Sequence, residues 1–130
     1  MPLVEFHVIE GRSTEEITTM LEASHRAVVT ALGIPPRDRY QIVHEHSASH
    51  FIVEDTGLNL PRTEKVVLIK ITSRPRDEAA KLKLYEELCR ELETSCDIAP
   101  SDVMVSIVIN SDADWSFGNG RAQFLTGELS

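Results

Sequence analysis

The sequence has no run of basic residues, no long apolar stretch and only two cysteines, and each shortage removes a class of function. Lys and Arg number 13 against 21 Asp and Glu, for a formal net charge of −8. A field of that sign repels a phosphate backbone, so nucleic acid is excluded as a partner. No apolar run approaches the ~20 residues that span a bilayer, which excludes a membrane helix. The opening MPLVEFHVIEGRS has no basic start followed by an apolar stretch, so no signal peptide is read and a cytoplasmic location is expected. Cys89 and Cys96 fall on one helical pattern, ~10 Å apart along the axis at about 1.5 Å per residue, beyond disulfide reach. They read as reduced, buried thiols.

What is present suits one soluble domain covering residues 1–130, with 42% hydrophobic and 26% charged residues. The pattern runs through the same cycle twice. PLVEFHVI (2–9) is β-branched and aromatic, and Gly11 ends it. STEE (13–16) is a capping box, after which Ile17, Met20, Leu21, Ser24, Val28, Ala31 and Leu32 recur at helical spacing up to Gly33. RYQIVHEH (39–46) is a second strand. Residues 47–64 are turn-rich around a short strand near Phe51–Val53. KVVLIKIT (65–72) then starts the second cycle, followed by a helix from about Pro75 to Thr94 with Ala80, Leu84, Leu88 and Leu92 on one face. DVMVSIVIN (102–110) closes it, and the tail 111–130 reads as a loop with a short hairpin.

Two β-α-β halves, 2–46 and 65–110, predict an α+β fold: a four-stranded sheet with both helices on one face. The strands look apolar on both faces, so the uncovered face requires a partner, and a closed homo-oligomer of this chain is the simplest one. Right-handed crossovers make the strands of each half parallel. If the halves pair antiparallel, the starts of strands 1 and 2 meet the ends of strands 3 and 4. That brings Pro2, Asp38, Arg74, Arg76, Trp115 and Phe117 to one sheet edge, at the positive end of the second helix.

The stretches PPRDRYQIVHEH, SRPR and DWSFGNGRAQFLTGEL, in that order along the whole chain, resemble the malonate semialdehyde decarboxylase branch of the tautomerase superfamily. The resemblance implies a MIF-like subunit of β-α-β repeats, assembly as a trimer, no cofactor, and a proline made amino-terminal by loss of the initiator Met. It implies a site of Pro2, Asp38, Arg74 and Arg76 beside an apolar wall of Trp115, Phe117, Phe124 and Leu129. The implied reaction is decarboxylation of malonate semialdehyde to acetaldehyde, with hydration of acetylenic or halogenated three-carbon acids as a companion activity.

The residues support that chemistry independently. A β-oxo acid loses carbon dioxide when its carbonyl is polarised, because the C–C electrons then flow into an enol. An α-amino group titrates near ~8, and a carboxylate such as Asp38 favours its cationic form. Protonated Pro2 can then hydrogen-bond the carbonyl oxygen, whereas neutral Pro2 can form an iminium with an aldehyde. Guanidinium groups at 74 and 76 match the two oxygens of a carboxylate, and the apolar wall favours an uncharged product.

Each feature also has a plain structural explanation. Asp38 can be a turn residue, Arg74 and Arg76 solvated partners of Asp77 or Glu78, and Phe124 and Leu129 core or subunit contacts. His44 and His46 share a strand face near His50, but no cysteine or suitably spaced carboxylate joins them, so no metal is expected. GNG (118–120) lacks the setting of a dinucleotide loop and reads as a turn, and EELCRELE (86–93) as a solvated acidic face. Two alternatives stand beside the decarboxylase. One is a keto–enol tautomerase using Pro2 as base; the other is a non-enzymatic trimeric module that binds small carboxylates.

Overall fold

The computed structural model describes residues 1–130. The first half is β1 (Leu3–Ile9), α1 (Thr14–Leu32) and β2 (Tyr40–His46); the second is β3 (Val67–Ser73), α2 (Glu78–Cys96) and β4 (Val103–Ile109), and a one-turn helix, α3 (Gln123–Thr126), lies in the tail. The sheet order is β2-β1-β3-β4. Strands pair in parallel within each half, and β1 runs antiparallel to β3 with Leu3 opposite Thr72. The assumed junction between halves is therefore the one formed, and it sets the chain start beside the end of β3.

Local chemistry explains the boundaries. Ser13 Oγ accepts from the Glu16 amide at 3.1 Å while Glu16 accepts from the Ser13 amide at 3.0 Å, completing the capping box. Gly33 ends α1 at φ 64°, a left-handed conformation that glycine adopts without a Cβ penalty. α2 begins later than the pattern suggested. Asp77 caps it by accepting from the Ala80 amide at 2.7 Å, so Arg76 precedes the helix and does not sit on its first turn.

Alternate residues of β1 and β3 (Val4, Phe6, Val8, Val67, Ile69 and Ile71) pack under both helices, against Met20, Ala27, Leu84, Leu88 and Leu92. The opposite face is mixed and not apolar throughout. Exposed Ile42, Met104 and Val108 share it with Glu5, His7, His44 and Lys70. The continuous hydrophobic runs of β3 and β4 concealed the polar residues that β1 and β2 contribute.

Three further expectations are corrected. Phe51–Val53 forms no strand: Ile52 is exposed and the segment pairs with nothing, following a 3-10 turn at Ala48–His50. The middle segment is anchored instead at Asp102, a buried carboxylate that accepts from the Thr63 amide (2.7 Å) and hydroxyl (2.5 Å). The tail holds a 3-10 turn at Asp112–Asp114, a single bridge between Gly118 and Arg121, and α3, with no hairpin ladder. Cys89 and Cys96 are free as expected but only half-buried, and burial raises both thiols above their ordinary pKa.

Candidate active site

The strand ends converge on a cavity of about 480 Å³ that opens among the Met1 terminus, the α1–β2 loop, the end of β3 and the chain tail. Asp38 and both arginines line it, with Tyr40, Phe117 and Leu129 as its apolar side. Of the residues expected at this sheet edge, Asp38, Arg74, Arg76 and Phe117 line the cavity, whereas Pro2 and Trp115 do not.

The amino terminus lines it. The Met1 ammonium is ion-paired to Asp38 Oδ1. Burial pushes the pKa of this amine below its ordinary value; the bond to Asp38 opposes that shift, and the nearby charges of Arg76 and Arg74 add to it. Pro2 is buried beneath Met1, and while Met1 is attached its nitrogen is an amide. Asp38 is held near the terminus by a tight turn in which its amide donates to the Pro35 carbonyl at 3.0 Å.

The two arginines are held differently. Arg74 Nη1 donates to Asp112 Oδ1 at 3.0 Å and Nη2 to the Ser130 carbonyl at 3.2 Å. Its guanidinium carbon lies 3.7 Å from the centroid of the Phe124 ring, a cation–π contact. Arg76 donates through Nε to Ser73 Oγ and through Nη1 to the Leu32 carbonyl, both at 3.4 Å. Burial and the adjacent Arg74 charge lower its pKa, with Asp38 opposing. These long bonds leave Arg76 with donor capacity toward the cavity. Neither arginine pairs with Asp77, which is occupied by the α2 cap.

The aromatic residues form a stack and not a uniform wall. Phe117 stacks on Trp115 (centroids 5.4 Å) and on Tyr40 (5.7 Å), and meets Phe124 edge-on at 5.5 Å. Phe117 and Leu129 face the cavity; Trp115 and Phe124 stand behind them. The Trp115 indole N–H donates to Asn110 Oδ1 at 2.7 Å, and Phe124 supports Arg74. Sequence reasoning missed Tyr40, Arg37 and Asp112. Tyr40 was legible as the first residue of a strand that starts at this edge; the Asp112 contact spans 38 positions and had no local signal.

A cleft of similar size, about 510 Å³, lies between the start of α1 and the end of α2. Its Arg12 donates to the Lys65 carbonyl at 2.7 Å and stands among Glu15, Glu16, Glu93 and Asp97, so the cleft is acidic on balance. The terminal cavity alone joins cations to an amine.

Two family profiles, each described as tautomerase enzyme, match residues 38–118 and 2–60. The chain is 51% identical over 129 residues to the probable tautomerase YrdN of Bacillus subtilis (strain 168), covering 99% of this chain and all of that one. Its fold matches a malonate semialdehyde decarboxylase, analysed as a structural basis for decarboxylase and hydratase activities, with TM-score 0.97, 48% identity and coverage of 98% and 99% of the two chains. A second, the FG41 malonate semialdehyde decarboxylase inhibited by 3-bromopropiolate, matches with TM-score 0.94 and 37% identity over 98% of both chains. With the β-α-β repeats, the amine at the sheet edge and these likenesses together, the chain belongs to the tautomerase superfamily, in its malonate semialdehyde decarboxylase-like family.

Proposed function

We propose that this protein decarboxylates malonate semialdehyde to acetaldehyde, without a cofactor, after Met1 is removed. The observation that carries the reading is the chain's amine, ion-paired to Asp38, in one cavity with Arg74 and Arg76. Removal of Met1 passes the free amine to the Pro2 ring nitrogen, which is separated from the Met1 nitrogen only by the two backbone carbons of Met1. Asp38 then becomes the partner of the Pro2 ammonium.

In this scheme Arg74 and Arg76 hold the substrate carboxylate, and the Pro2 ammonium hydrogen-bonds the aldehyde oxygen. The bond between the carboxylate carbon and the methylene breaks. Its electrons form the enol double bond as the oxygen takes the proton, and carbon dioxide leaves. The enol takes a proton on carbon and returns its oxygen-bound proton to the Pro2 nitrogen to give acetaldehyde, so the sum is substrate anion plus one proton to acetaldehyde plus carbon dioxide. Tight grip of the carboxylate alone gives no acceleration, because that charge disappears along the reaction. Phe117 and Leu129, apolar and lining the same cavity, supply a side that favours neutral carbon dioxide. Hydration of acetylenic or halogenated three-carbon acids would use the same carboxylate grip.

Assembly as a homotrimer belongs to this proposal. Exposed Ile42, Met104 and Val108 on the open sheet face are the apolar surface that self-association would cover.

One observation favours a second reading. Burial lowers the Met1 amine's pKa despite Asp38, and a Pro2 amine lowered by the same surroundings would be a neutral base suited to keto–enol tautomerisation. Side-by-side assay of malonate semialdehyde, phenylpyruvate and a three-carbon acetylenic acid separates the two. Acetaldehyde formation far ahead of the other activities supports the decarboxylase. Efficient phenylpyruvate enolisation without acetaldehyde assigns the site to the tautomerase.

A further inference from the structure

The open face of the sheet carries a second cluster of titratable groups that the proposed chemistry leaves unused. His7 on β1 is the register partner of His44 on β2, so the two imidazoles project side by side and stack with centroids 4.5 Å apart. Glu5 precedes His7 by two residues and His46 follows His44 by two, which puts all four on one face by the two-residue period of a strand. His44 Nε2 lies 3.0 Å from Glu5 Oε1, and His7 Nδ1 lies 2.8 Å from His46 Nε2. The carboxylate and third histidine that β2 itself lacks are therefore supplied by the neighbouring strand. His50 takes no part.

We propose that Glu5, His7 and His44 form a binding site for a divalent transition-metal ion, zinc being the reference ion, with His46 orienting His7. Two imidazoles and a carboxylate are a donor set for such ions. Candidate ligand atoms of the three residues all lie within 4.8 Å of one another. Ligands at about 2.0–2.1 Å from a tetrahedral zinc stand roughly 3.3 Å apart, so the His44–Glu5 spacing already approximates one edge and a small ring rotation supplies the others. The three side chains are half-buried in the single chain, on the sheet face that the proposed trimer would cover, so the test is made on the assembled protein. The proton that His44 Nε2 shares with Glu5 is the one a metal would replace. His46 engages Nδ1 of His7 and leaves Nε2 as the coordinating atom, the arrangement in which a second hydrogen bond sets the tautomer of a ligating histidine.

The test is calorimetric titration of zinc chloride into tag-free, chelator-treated full-length protein in its native oligomeric state, with visible absorption of added cobalt(II) as a second readout. Near-stoichiometric binding per chain is expected, together with the intense bands of low-coordinate cobalt. The doubly substituted His7→Ala/His44→Ala chain should lose both signals, and Glu5→Gln, which keeps the shape of the side chain, should weaken binding at least tenfold. Unfolded variants are recognised by circular dichroism and gel filtration, in which case Glu5→Gln carries the test alone. His25→Ala/His50→Ala controls for adventitious surface histidines and should bind as the parent does. Absence of heat and cobalt absorption in the parent overturns the proposal, and so does undiminished binding in a folded Glu5→Gln or His7→Ala/His44→Ala chain.

Discussion

Replacing Arg74 by Ala separates the structural and catalytic duties of one guanidinium. Structurally, the change removes an ion pair to Asp112, which is half exposed, so that pair contributes ~0–1 kcal/mol. It also removes the Phe124 contact, about 0.5–2 kcal/mol for a cation over a ring. Folding should weaken by roughly 0.5–3 kcal/mol in sum, which a domain with ~5–15 kcal/mol of stability survives. Catalysis should suffer more. A hydrogen bond to a charged partner contributes ~1.5–3 kcal/mol, and a bidentate grip lies at or above the upper end, so kcat/KM for malonate semialdehyde should fall by roughly two orders of magnitude. Arg74→Lys should recover little, because a point charge cannot reproduce the planar fork. Asp112→Ala is the internal control: it breaks the same ion pair but leaves the guanidinium, and should keep kcat/KM within a few-fold of the parent. Steady-state kinetics on the three folded variants decide the matter. Equal losses in Arg74→Ala and Asp112→Ala would show that the pair has only a structural job and would refute carboxylate recognition by Arg74.

Asp38→Asn removes the charge that supports the ammonium, so the amine's pKa should fall further and the acid-dependent decarboxylation with it; an NMR titration giving the same pKa in both proteins would leave Asp38 another role. The direction of the shift also sets a pH profile. If the Pro2 amine, once freed, is lowered by the same burial that lowers the Met1 amine, the acid form is lost as pH rises through that lowered value, so kcat/KM for decarboxylation should decline on the alkaline side, whereas a base-driven tautomerase should rise there. Leu88→Ala, at a fully buried core position, should cost ~2–5 kcal/mol in chemical denaturation and leave the site geometry intact. Light scattering at micromolar concentration should report a trimer, ~44 kDa as three chains of 14.5 kDa; a monomer would contradict self-association through the open face.

Features carried by short spacings were legible in the sequence. The capping box at Ser13, the Gly33 stop and the helix faces at Leu84, Leu88 and Leu92 depend on neighbours three or four residues away, where periodicity speaks directly. The sheet edge needed one added assumption, that the halves pair antiparallel, and from it Asp38, Arg74 and Arg76 fall beside the terminus. What escaped depends on register or on distant pairing. Glu5 and His7 join His44 only because β1 and β2 pair residue for residue as they do. Asp112 reaches Arg74 across a turn in the tail. Phe51–Val53 has strand composition but no strand beside it, and an isolated β segment leaves its backbone unpaired. The aromatic residues showed their number but not their order, with Phe117 forward and Trp115 and Phe124 behind.

The free nitrogen of Pro2 is the centre of the account, and Met1 is the group that blocks it. Preparations with different extents of Met1 removal, measured by intact mass, should produce acetaldehyde from malonate semialdehyde at rates proportional to the fraction of chains beginning at Pro2. Pro2→Ala, processed to the same extent and folded, should lose most of that turnover. Full activity in a preparation whose mass shows Met1 retained on every chain would contradict the mechanism.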